Sequence, residues 1–81
     1  MNSGTEIFDL EYKGESLRVQ RHFISAQVIY RVLFPGQRPP LVVTRAFKDN
    51  AVRFWTSIPE GRQKEAEELG PLIDEYFRSN Y

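Results

Sequence analysis

The apolar residues of this chain change their spacing once, and that change limits what the chain can fold into. Up to about Ser57 they recur at every second position in five short runs; from Gln63 to Phe77 they recur at every third or fourth. Alternation is the mark of a strand with one buried face, and spacing by three and four draws a stripe along a helix. The expected fold is therefore α+β: an antiparallel, meander-like sheet of about five strands packed against one C-terminal amphipathic helix.

The strands are expected at about 5–12, 16–23, 28–34, 41–47 and 51–57. Phe8, Leu10 and Tyr12 alternate with Asp9 and Glu11, and Leu17, Val19, Arg21 and Phe23 alternate with Arg18, Gln20 and His22. Between them Gly14 can supply the positive φ of a tight hairpin. The third run, Val28 to Phe34, is apolar on both faces apart from Arg31, as in a central or doubly covered strand. Pro35, Gly36, Pro39 and Pro40 mark a turn, Leu41 to Phe47 is rich in β-branched residues, and Lys48-Asp49-Asn50 reads as another hairpin. Residues 1–4 read as a disordered tail and 5–81 as a single domain, with 24–27 a connector of unassigned shape.

Ser57-Ile58-Pro59-Glu60 has the spacing of a capping box, which puts the helix at about 60–78. Its stripe is Ala66, Leu69, Leu72, Ile73, Tyr76 and Phe77; Lys64, Glu67, Glu68, Asp74 and Glu75 lie opposite. Gly70-Pro71 interrupts the middle, where proline removes a hydrogen bond and crowds the carbonyl four residues back. The stripe keeps its phase across that point, so a kinked but continuous helix is expected. An exposed apolar sheet face needs a cover, and this helix is the element available to provide it.

Catalytic chemistry is hard to find. The 81 residues include no cysteine and a single histidine, His22, so thiolate zinc sites and multi-histidine metal sites are excluded. His22 has no evident acid partner, Ser57 is explained by capping, the helical carboxylates lie on a solvated face, and the glycines lack phosphate-binding spacing. A non-enzymatic protein with no cofactor and no metal is expected. The start has no basic segment followed by an apolar run, and no stretch approaches the ~20 apolar residues that span a bilayer. With no cysteine to oxidise, a cytoplasmic location and no membrane partner are the corresponding expectations.

The net charge of zero hides an uneven distribution. Residues 1–15 carry −3, residues 16–55 carry +6 and residues 56–81 carry −3. If the first two strands point Phe8, Leu17 and Val19 inward, their other face shows Arg18 and His22. The third strand adds Ile29, Arg31 and Leu33, and the fifth adds Arg53 and Trp55 if Phe54 turns inward. This candidate binding face mixes arginine, tryptophan and aliphatic groups, a composition suited to a protein partner or a second copy of the chain. The alternative is single-stranded nucleic acid, with arginine on phosphate and tryptophan stacked on a base. Several strands followed by one helix resembles, in topology alone, the PUR-repeat and Whirly-type single-strand binders, whose sequence motifs are absent.

Overall fold

The computed structural model describes residues 6–24, 27–47 and 53–80. The expected tail, the middle of the 24–27 connector, the Lys48-Asp49-Asn50 hairpin and the first residues expected of the fifth strand lie outside the described residues. Strands β1 (Glu6–Tyr12), β2 (Glu15–Ile24), β3 (Gln27–Leu33), β4 (Leu41–Phe47) and β5 (Arg53–Ser57) form one antiparallel sheet in sequential order, followed by α1 (Gln63–Asn80). The expected α+β meander with a C-terminal helix is the fold observed.

The first hairpin is tighter than one glycine implies. Lys13 and Gly14 both have positive φ, 52° and 79°, the pair that a two-residue type I′ loop requires. That loop aligns Phe8 with Val19, which in turn aligns with Val32 and then Leu41. With side chains alternating along each strand, this row and its neighbours place one apolar set on one face. Phe8, Leu17, Val19, Tyr30, Val32, Leu41, Val43 and Trp55 meet Ala66, Leu69 and Ile73 of the helix there. An aromatic cluster fastens the second half of the helix: Phe8 stacks on Tyr76 at 3.9 Å, and Phe77 packs edge-on to Phe8 at 5.2 Å.

The helix begins at Gln63, three residues later than the capping-box spacing suggests. Ser57 is buried, and its hydroxyl donates to the Pro59 carbonyl at 2.9 Å while accepting the Arg62 N–H at 3.1 Å. It therefore closes the turn over 58–62 instead of capping a helix that starts at about residue 60. The first helical bond described runs from the Ala66 N–H to the Arg62 carbonyl. The Arg62 side chain then fixes this end of the helix to the β3–β4 loop. Its guanidinium donates to the Pro39 and Pro40 carbonyls and to both Glu65 carboxylate oxygens, and it lies over the Phe34 ring at 5.6 Å.

Hydrogen bonding from Arg62 holds the Glu65 carboxyl below its ordinary pKa, with burial opposing. A lowered folded value means that this contribution to stability is present above the unfolded pKa of ~4.3 and is lost as pH falls through the folded value. We expect Glu65 to titrate below the ordinary glutamate range in a carbon-detected NMR titration, and to return to that range in Arg62→Met. Identical midpoints in the two proteins would contradict this assignment.

Pro71 does not divide the helix. It is exposed, as is Glu67, whose carbonyl loses its partner, so the missing bond lies on the side where water can satisfy it. Gly70 is buried, and a Cβ at that position would lie 2.1 Å from Cγ of Trp55. The indole therefore rests directly on the helix backbone.

Candidate interaction surface

The helix covers one face of the sheet, and among the described residues nothing covers the other. The register gives that open face its layout. A central row crosses the first four strands as Ile7, Gln20, Arg31 and Val42, and Ile58, just past β5, extends it through its N–H to the Val42 carbonyl at 2.8 Å. On one side lie Asp9, Arg18 and Leu33; on the other lie His22, Ile29, Thr44 and Thr56. Ile7, Ile24 and Ile58 are 56%, 54% and 42% exposed, so the face carries accessible aliphatic surface at its margins. Ile29, Leu33, Val42 and Phe54 are half-buried within it.

Five of the seven residues expected on this face are there: Arg18, His22, Ile29, Arg31 and Leu33. Arg53 and Trp55 are not. Trp55 aligns with Arg45 on the helix side and is 8% exposed, Arg53 follows the same parity, and Phe54 turns outward instead. Alternation cannot choose between two adjacent aromatics, because a shift of one residue exchanges the faces. The helix makes the choice. Gly70 lies beside Leu69 and Ile73 on the buried stripe and leaves room for a ring, and only Trp55 can reach it when Ser57 also points inward. A glycine on the apolar stripe was the available signal for a large side chain opposite.

Pairing also offsets much of the uneven charge along the chain. Antiparallel pairing sets the acidic first strand against the basic second, and the acidic helix over the sheet. Arg18 pairs with Asp9, Arg21 with Glu6, Arg38 with Glu15, and Arg45 with Asp74. Arg31, at the centre of the open face, donates to Gln20 at 3.5 Å, and among the described residues no carboxylate pairs with it. On the described open face Arg18 and Arg31 are balanced by Asp9 and Glu11.

Among the described residues no group of three or more histidine, cysteine, aspartate or glutamate side chains could hold a metal ion, and no helix is long and apolar enough to cross a membrane. Comparison with known protein families, with curated proteins and with solved structures finds no match, so the open face must be read from its own chemistry.

Proposed function

We propose that this chain is a non-enzymatic protein-interaction module whose open sheet face packs against the same face of a second copy. The carrying observation is the aliphatic and arginine surface that spans all five strands opposite the helix. Its size suits the role. Strands of about seven residues at ~3.4 Å each, five abreast at ~4.8 Å, present a face of roughly 600 Å² before side-chain relief. Each partner in a standard interface buries about 800 Å².

Charge favours a copy over a polyanion. A face with two arginines and two carboxylates has no net attraction for phosphate, which dominates nucleic-acid affinity. It raises no like-charge barrier to itself, and an isologous contact can set Arg31 of each copy over Asp9 and Glu11 of the other. The nucleic-acid reading also needed Trp55 and Arg53 on this face, and both lie on the helix side.

Sedimentation equilibrium at micromolar concentration tests the proposal. A dimer is expected, and Ile29→Glu should weaken it by at least about 100-fold, the scale of an unpaired charge forced into an interface, while leaving the monomer's melting transition intact. A wild-type protein that stays monomeric throughout that range would remove the proposal. Tight, salt-sensitive binding of an oligonucleotide by the monomer would replace it.

A further inference from the structure

The helix side of the sheet holds a second feature. Strands β2 and β3 pair to the Ile24–Gln27 end, and β4 and β5 pair to Phe47–Arg53, yet β3 and β4 pair only as far as Ile29 and Thr44. Beyond that point the two central strands part. Thr44 bridges the throat of the fork: its hydroxyl donates to the Val28 carbonyl at 2.8 Å and accepts from the Gln27 amide at 3.4 Å. The opening is a cleft of about 450 Å³ whose further lining includes Arg21, Val28, Tyr30, Arg45 and Phe47. That volume falls within the range of small-molecule sites, about 300–1,000 Å³.

Two of these residues break the chain's own pattern. Arg21 follows Leu17 and Val19 on the inward set, and Arg45 follows Leu41 and Val43, so both occupy positions where alternation calls for apolar side chains. Their side chains are 28% and 33% exposed. Charges at such positions weaken a core, and local breaks of the folding pattern concentrate at functional sites. Both guanidiniums are also held in place. Arg21 lies 5.1 Å from the rings of Phe23 and of Phe77 and donates to Glu6 at 3.1 Å, while Arg45 lies 5.0 Å from the Trp55 ring and pairs with Asp74. Tyr30 stands between them, its phenol pushed above the ordinary pKa by burial while the two arginines pull the other way.

We propose that the β3–β4 fork binds a small organic monoanion, a carboxylate carried on an aromatic or apolar body, with the carboxylate on Arg21 and Arg45 and the body against Val28 and Phe47. A planar guanidinium matches a carboxylate geometrically, and a fixed one loses little freedom on binding. The charge balance sets the valence. Among the described residues Glu6 and Asp74 offset the two arginines, and Arg53, in the adjoining cavity with Arg45 and Asp74, leaves a single positive charge in excess. A dianionic phosphate would set its second charge against the two carboxylates. Thr44 and Gln27 at the throat belong to the open-face set, but Arg21, Tyr30, Arg45 and Phe47 lie on the helix side, so either proposal can fail while the other stands.

The test is an NMR titration of the full chain with benzoate, with benzamide and with inorganic phosphate. Benzoate should give saturating, concerted shifts at Val28, Tyr30 and Phe47 at millimolar concentration, with the other two probes at least about tenfold weaker. Arg45→Gln should weaken benzoate about tenfold, the loss of one charge-assisted contact. Phe47→Ala should also weaken it; Phe47 is 65% exposed, so that variant keeps the fold even if Arg45→Gln does not. Non-saturating shifts with benzoate would overturn the proposal. So would equal binding of benzamide, equal or tighter binding of phosphate, or shifts confined to Ile29 and Leu33 on the open face.

Discussion

Gly70→Ala is expected to destabilise the protein by about 3 kcal/mol, the upper part of the usual range for overpacking, although alanine is the better helix former by about 1 kcal/mol. The sign is set by one contact. The added methyl would lie 2.1 to 2.3 Å from three atoms of the Trp55 ring, well inside any tolerable carbon–carbon approach. The ring has little room to retreat, because Tyr30 packs against it at 5.6 Å and Arg45 lies over it at 5.0 Å. Urea unfolding measures the loss, and a double-mutant cycle isolates its cause. In a Trp55→Leu background the same substitution should be nearly neutral, because the ring it strikes is gone. A Gly70→Ala protein as stable as the parent would mean that the indole and the helix are not in contact.

A chain ending at residue 69 is expected not to fold. The removed segment carries buried Ile73, with Leu72, Tyr76 and Phe77 packed against the core. At roughly 1.5–3 kcal/mol for each large apolar side chain buried, their gross contribution is on the order of 8 kcal/mol. That matches the 5–15 kcal/mol by which domains exceed unfolding. It would also strip Phe8 of both its aromatic neighbours, Tyr76 and Phe77. Near-ultraviolet circular dichroism and a thermal melt report the outcome. A 1–69 fragment that melts cooperatively would show that the sheet holds together without half of its cover.

The architecture was legible because each element speaks in its own period. Five alternating runs, a Lys13-Gly14 hairpin and one stripe keeping phase through Pro71 specify a meander and a helix. The details that misled were those on which local pattern is silent. Phe54 and Trp55 are adjacent and equally apolar, so the face each takes was settled by Gly70, distant in sequence. Ser57 and Glu60 have capping-box spacing, yet Ser57 is used to close the turn before Arg62, which delays the helix to Gln63. Summed charge along the chain suggested a basic surface, whereas antiparallel pairing set each block beside its opposite. Arg21 was visible as an inward charge from its alternation with Leu17 and Val19, but Arg45 was not, because both alternating sets of Leu41–Phe47 are largely apolar. Their meeting at one fork depends on where β3 and β4 part, which only the register reveals.

The absence of cysteine allows a direct test of the open face, because any introduced thiol carries the only label. Gln20→Cys places a spin label in the central row of that face, and Glu67→Cys places one on the exposed side of the helix. Pulsed dipolar spectroscopy on each protein at a concentration that favours association then reads the distance between copies. Face-to-face packing at about 10 Å between sheets predicts a short distance for the label at position 20 and a several-fold longer one for the label at position 67. A short distance between labels at position 67, or no dipolar coupling at position 20, would contradict the assignment of the open sheet face as the surface that meets a second copy.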